Sequence, residues 1–328
     1  MAQTPASPVS AGLYGLAAFA IFSSHDVIIK YLGGTYSPFQ IVFFSALFSF
    51  PLLTLILIGD ERPGTLRPVH PWWIALRSLS GAIAAVGAFY AFTVLPIAQA
   101  YAIIFAAPML ITILAIPILG ETVRLRRWIA VLAGLVGVVV VLRPGSAEIG
   151  LGHLAALGSA VAGALNSIIV RKIGAEERSV VMILYPMMAN FLLMGLALPF
   201  VYVPMALGDL GLLAVVAVLV LAAMSCLIRA YRDGSAVLVA PMQYSQIIWA
   251  TLFGVLLFNE VPDGGTVLGA AIIIASGLYI LLREARSDAS ENTPVLRTRT
   301  RIGLSVPLRV AFLRRRMRRT RKPVHPGP

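Results

Sequence analysis

Ten apolar runs follow one another along the chain, at roughly 12–32, 38–58, 72–93, 98–119, 128–142, 151–170, 180–202, 210–228, 236–258 and 265–282. Each is about 15–23 residues long, against the ~20 a helix needs to cross hydrocarbon. The fifth is short and has to draw on its flanks. Turn signals separate the runs, among them Gly33-Gly34, Leu95-Pro96, Arg143-Pro144-Gly145, Gly208-Asp209, Asp233-Gly234 and Pro262-Asp263-Gly264-Gly265. Connections this short make consecutive helices antiparallel neighbours and leave no room for a soluble domain. With 59% hydrophobic and 12% charged residues among 328, and a mean hydropathy of +0.89, only a bilayer can serve as the solvent. The expectation is an all-α membrane protein with ten transmembrane helices.

The same pattern narrows function. No GxxxxGKS/T, HExxH or GxSxG occurs, Cys226 is the single cysteine, and His25, His70, His153 and His325 are scattered. An enzyme, a nucleotide-driven pump within this chain, a metal centre and a cofactor are therefore not expected. The opening MAQTPASPVSAG lacks the basic stretch of a signal peptide, so the first run should be retained.

Lys and Arg placement sets orientation. The connections after runs two, four, six and eight carry Arg62, Arg67, Arg124, Arg126, Arg127, Arg171, Lys172, Arg178, Arg229 and Arg232, while the opposite ends carry only Lys30 and Arg143. Both termini are expected on the cytoplasmic side of a bacterial inner membrane. From Arg286 onward, twelve basic residues stand against two acidic ones, so the body holds fourteen against twelve and the net charge of +12 belongs to a tail. The tail reads as a disordered linker, SDASENTP, followed by VPLRVAFLRRRMRRTRK. That stretch is either solvated or laid on anionic lipid, at ~1 kcal/mol per basic residue. No aromatic platform accompanies its arginines, so nucleic acid is not an expected partner.

Two runs depart from plain hydrophobicity. Residues 236–260, AVLVAPMQYSQIIWATLFGVLLFNE, carry Pro241, Gln243, Tyr244, Gln246 and Trp249; residues 98–121, AQAYAIIFAAPMLITILAIPILGE, share the plan of small polar start, interior proline and closing Glu. Hydrocarbon cannot satisfy such groups, so both segments should line a cavity or a protein interface. Interrupted runs in corresponding halves point to a transporter's binding site. Glu121 and Glu260 are 139 positions apart; on that register Phe105 falls on Tyr244, Ala107 on Gln246 and Met109 on Ile248, and Lys30 approximates Arg171. Five helices per half put the second copy upside down. The charges agree, since GETVRLRR is basic and NEVPDGG has no Lys or Arg. The reading is two inverted five-helix repeats, 12–145 and 146–284, between an N-terminal segment, 1–11, and the tail, 285–328. Small-residue stripes at 78–88 and 158–164 suit close helix packing.

Several side chains are candidates for chemistry. Asp26, beside His25 inside the first run, is a proton carrier or substrate contact, or else pairs with Lys30 one turn on. Glu121 and Glu260 close their runs, where a carboxylate opposes the helix dipole, so each is expected to cap the amides opening the next helix. Arg77 either snorkels to the interface or anchors an anionic group or a gate, and Arg229 is read in the same way. Gln243, Gln246 and Trp249 share one helical face with Tyr244 a little around it, and Gln99 and Tyr101 can join from the fourth run. Amides that donate and accept, beside aromatic rings, suit a flat, neutral, heteroatom-rich ligand. The alternative is interhelical hydrogen bonding with an interface Trp.

These segments resemble the EamA branch of the drug/metabolite transporter superfamily over about residues 12–284, through FSSHDVIIKYLGGTYSPFQIVFF, LRSLSGAIAAVGAFYAFTVLPIAQAYAIIFAAPMLI and APMQYSQIIWATLFGVLLFNEVPDG. The resemblance implies a cytoplasmic-membrane secondary carrier whose central cavity works by alternating access. SSHDVIIKYLG, and VAPMQYSQ with FNEVPDG, are similar to S-adenosylmethionine uptake carriers; the riboflavin uptake group is resembled too. Where relatives commonly carry Arg in the second helix this chain has Ser45, so any anion-binding or gating role there is absent or moved. The leading expectation is uptake of riboflavin or a similar flat heterocycle, because the polar face of the ninth run is uncharged. The alternatives are uptake of S-adenosylmethionine, a cation that wants a carboxylate such as Asp26; export of amino acids or toxic metabolites; and a non-transporting scaffold whose basic tail recruits partners. Direction, coupling ion and oligomeric state stay open.

Overall fold

The computed structural model describes residues 8–58, 66–121, 123, 125–143, 149–174, 176–233 and 236–286. Every regular element among them is helical: α1 (Pro8–Gly33), α2 (Pro38–Ile58), α3 (Pro71–Val94), α4 (Ile97–Ile104), α5 (Ala107–Leu119), α6 (Leu125–Leu142), α7 (Leu151–Ile173), α8 (Ser179–Val201), α9 (Leu207–Asp233), α10 (Ala236–Val239), α11 (Ser245–Phe258) and α12 (Gly264–Arg286). A 3-10 turn, Ala240–Tyr244, joins α10 to α11. Seven stretches among the described residues are long and apolar enough to cross a membrane, with α4 and α5 counting as one, Ile97–Leu119. Pro38–Pro51 and Gly264–Ile280 are shorter apolar stretches. The short fifth run is completed by its N-terminal flank, since α6 begins at Leu125. The tail from 287 onward lies outside the described residues, as do Arg62 and Arg124.

The distribution of polarity is inverted relative to a water-soluble protein. Trp72, Phe200 and Leu207 are 86–88% exposed, while Asp26, Gln40, Arg77 and Gln246 are fully buried. An apolar outer belt is unfavourable in water at ~25 cal/mol per Å² and favourable in lipid, where polar groups must find partners inside. The chain is a multi-pass membrane protein.

Long helix pairs form the frame: α1 along α9, α3 along α7, α6 along α12 and α2 along α8. Small residues set their approach. The two small-residue stripes face each other, and Ser159 Oγ on α7 donates to Ala84 O on α3 at 2.8 Å. A Cβ on Gly269 of α12 would lie 2.6 Å from Gly137 O of α6, so only glycine permits that crossing. Between α2 and α8, Phe43 stacks on Phe191 with centroids 4.8 Å apart. Beyond α8, Gln40 brackets the Val203 backbone, donating to its oxygen at 2.7 Å and accepting from its nitrogen at 2.9 Å.

Both polar segments are broken helices. α4 gives way to α5 at Phe105 and Ala106, just before Pro108, whose ring and missing N–H interrupt the ladder. Pro241 has the same effect at the start of the 3-10 turn. That turn ends on Tyr244, which meets Phe105 edge to face with centroids 5.5 Å apart. α5 and α11 also close alike. Gly120 (φ 70°) and Asn259 (φ 54°) adopt the left-handed conformation. The following amides reach back, Glu121 N to Ala115 O at 3.3 Å and Glu260 N to Gly254 O at 2.9 Å. Such an ending requires a residue that tolerates positive φ, which Gly and Asn do best.

Candidate functional site

A chain of buried polar side chains joins α1, α4 and α11. Asp26 on α1 accepts a hydrogen bond from Tyr101 OH on α4, and its other oxygen lies 2.7 Å from His25 Nδ1. Gln246 Nε2, in the first turn of α11, donates to Tyr101 OH at 3.1 Å. Alanines at 98, 100 and 102 keep the flanks of Tyr101 small, which lets α4 approach its neighbours. Phe89 lies 6.0 Å from the His25 ring, and Phe92 and Phe105 flank Tyr101 at 5.2 and 5.4 Å. Rings around polar groups lower the local dielectric, which strengthens each hydrogen bond and raises the cost of leaving one unmade. A carboxylate so placed can hold a proton or an organic cation.

Other sequence expectations change partners. Asp26 does not take Lys30. Lys30 Nζ lies 2.6 Å from Glu260 Oε1 and donates to Phe92 O and Leu95 O at 3.2 and 2.7 Å. Glu260 does not cap α12 either. Its Oε2 accepts from Ile97 N at 3.1 Å, at the opening of α4, whereas Thr266 N in the first turn of α12 is taken by Asp263 Oδ1 at 2.7 Å. Asp263 has the short side chain and the three-residue spacing that N-capping favours, and Glu260 has neither. Glu121 is ion-paired with Arg171 on α7. Arg77 does not snorkel: it is fully buried, and its Nη1 donates to Met182 O, tying α3 to α8.

Of the expected ligand face, Gln246 is engaged by Tyr101, and Gln243 is half-buried in the 3-10 turn. Tyr244 OH and Trp249 Nε1 are buried without a partner among the described residues. Tyr244 OH is aimed at Gly277, where a Cβ would stand 1.7 Å from it. Gln99 does not join Tyr101. It lies 3.2 Å from His153 Nε2 on α7, because residues two apart on a helix point about 200° apart. Sequence reasoning missed Asn166, 2% exposed on α7, whose Oδ1 has no partner among the described residues. An amide inside an apolar run is the legible signal for it. Outside the spans, the Thr266 amide, and then Arg143 at 2.7 Å, hold the Asp263 carboxyl below the usual carboxylate range.

Comparison with known proteins agrees with the fold. Residues 9–143 and 150–282 each match the model of the EamA-like transporter family. An S-adenosylmethionine uptake transporter of Rickettsia prowazekii is 29% identical over 271 residues, 82% of this chain and 92% of that one. A riboflavin transporter of Rhizobium johnstonii is 27% identical over 295 residues, 88% and 96% of the two chains. A pseudopaline exporter of Pseudomonas aeruginosa is 27% identical over 266 residues, 80% and 92%. One crystal structure, 22% identical in sequence, superposes with a TM-score of 0.58 over 85% of this chain and 99% of that one, a likeness of fold alone. Matched along both of these stretches, this chain belongs to the EamA-like transporter family.

Proposed function

We propose that this chain is a secondary carrier of the bacterial inner membrane, moving a small organic molecule by alternating access through a site at the α1–α4–α11 junction. The observation that carries the reading is the buried Asp26–Tyr101–Gln246 chain, three polar side chains from three elements, two of them in apolar stretches of membrane length. A charge so placed is costly unless used. The architecture proposed is ten spans in two inverted five-helix repeats, 12–145 and 146–284, with both termini cytoplasmic. Two matches to one family model support it, as do the like packing of α1 on α9 and α3 on α7 and the like endings of α5 and α11. For the basic tail, a solvated segment and one laid on anionic lipid both remain open readings.

The favoured substrate is an organic cation of the S-adenosylmethionine kind. The uncharged ninth-run face favours a flavin, but Gln246 is linked through Tyr101 to the Asp26 carboxyl, so the polar site includes an ionisable acid. A cation against Asp26 regains in low dielectric part of what it loses in hydration. A flat heterocycle such as riboflavin is the second reading, favoured by the run of Phe92, Tyr101, Phe105 and Tyr244, whose centroids are 5.2–5.5 Å apart. Competitive uptake of labelled S-adenosylmethionine and riboflavin into auxotrophic cells, with Asp26→Asn alongside, tests the order. Uptake of the cation that disappears in Asp26→Asn is the expected result. Riboflavin uptake indifferent to Asp26→Asn, without uptake of the cation, would reverse the order. Absence of flux for any metabolite would favour a scaffold.

A further inference from the structure

The carboxylates behind α5 and α11 enter two ion pairs at opposite ends of the bundle, and we propose that these pairs are the carrier's two gates, opened in turn. The inference rests on the alternating-access reading above.

The Lys30–Glu260 pair is a knot of four elements. Lys30, near the end of α1, meets Glu260 at 2.6 Å and donates to Phe92 O and Leu95 O at the end of α3. Glu260 accepts from Ile97 N, opening α4, and Lys30 lies 5.3 Å from the Phe258 ring of α11. The other knot joins Arg171, near the end of α7, to Glu121 behind α5. Beside it, Lys172 donates to Ile118 O at 2.8 Å and lies 4.7 Å from the Trp73 ring, in the first turn of α3. One knot sits where α3 ends and the other where it begins. The 24 residues of α3 separate them by ~36 Å.

Their chemistry suits a contact that opens. Apart from Glu260, at 21%, the paired side chains are under a tenth exposed. A buried ion pair adds little net stability over apolar packing. It holds firmly in low dielectric, yet it parts without an apolar penalty once water enters and solvates both charges. The two knots also differ. Both Glu260 oxygens have partners, whereas Glu121 Oε2 and Arg171 Nη1 are buried with none among the described residues. Unmet buried charged atoms weaken a contact, so the Arg171 gate opens first.

Labelling from each membrane face tests this without a substrate. Ser23→Cys in a Cys226→Ala background places a thiol one turn from Asp26, at a position 1% exposed. A membrane-impermeant maleimide is applied to right-side-out and inverted vesicles. Lys30→Ala should raise labelling about tenfold from one face only, and Arg171→Ala about tenfold from the other. Glu260→Gln, which keeps an acceptor for the Ile97 amide and removes only the charge, should raise labelling from the same face as Lys30→Ala. With both pairs intact, the face of the Arg171 pair should label faster. Unchanged labelling, or a rise from both faces at once, would overturn the proposal. Monodispersity in detergent separates a loosened fold from an opened gate. Face-specific labelling without flux of either labelled metabolite would retire the substrate reading and keep the gates. Flux without face-specific labelling would do the reverse.

Discussion

The α4–α5 and α10–α11 segments share a plan: each is interrupted beside a proline, at Phe105 and Tyr244, and each closes on a left-handed residue followed by a glutamate. Their surroundings differ. Tyr101 on α4 reaches the carboxylate of α1. When Lys30 is set on Arg171, the residues of α7 that match His25 and Asp26 are Asn166 and Ser167. An amide and a hydroxyl are far cheaper to bury than an ionised carboxylate. α5 and α11 thus close alike, while the side chains at the matching positions of α1 and α7 differ.

Moving the carboxylate is the most severe way to break this comparison. Asp26→Asn should lower uptake by about tenfold or more, and adding Ser167→Asp should not restore it. Recovery in the double variant, read as vesicle flux at matched abundance, would make the two sides interchangeable. A smaller effect separates two tyrosines. Tyr101→Phe removes a hydroxyl bonded to Asp26 and Gln246 and should cost about 1–3 kcal/mol, read as a lower Tm in detergent. Tyr244→Phe removes a hydroxyl with no partner among the described residues and should leave Tm unchanged or slightly raised. Lost substrate affinity at constant Tm would instead assign that hydroxyl to the ligand.

The caps sharpen the comparison at about 1 kcal/mol. Gly120→Ala should lower Tm, because alanine is strained at φ 70°, while Asn259→Gly should raise it slightly. A transport defect in Asn259→Gly at raised Tm would show that the asparagine does more than turn the chain. The smallest effect concerns Asp263. Its carboxyl is held low by the Thr266 amide and Arg143, so it stabilises the fold above the ordinary carboxylate pKa of ~3.9. That contribution is lost as pH falls through the still lower folded value. The Tm difference between the unaltered chain and Asp263→Asn should be constant from about pH 7 to 5 and fade below about 3. A difference that grew on acidification would contradict the assignment.

Much of the frame was legible because its causes are local. Proline positions mark the interruptions; that Phe105 and Tyr244, equivalent on the 139-residue register, also touch is a matter of packing. The site was legible in part. The sequence places Tyr101 with the Gln246 face, but not the link from Tyr101 to Asp26. Gln99 and Tyr101 both lie on the fourth run, but the helix points Gln99 elsewhere, toward His153.

By itself the sequence determined that the chain lies in a bilayer, where its helices begin and break, and that α5 and α11 end alike. Those outcomes follow from backbone hydrogen bonding without water and from proline, glycine and asparagine geometry. Only the tertiary structure decided the partners of the charges: Tyr101 for Asp26, Lys30 and the Ile97 amide for Glu260, Arg171 for Glu121. In a low dielectric a charge is satisfied by whichever group packing brings within about 3 Å. Here packing brought together residues 75 and 163 positions apart, which no local spacing rule encodes.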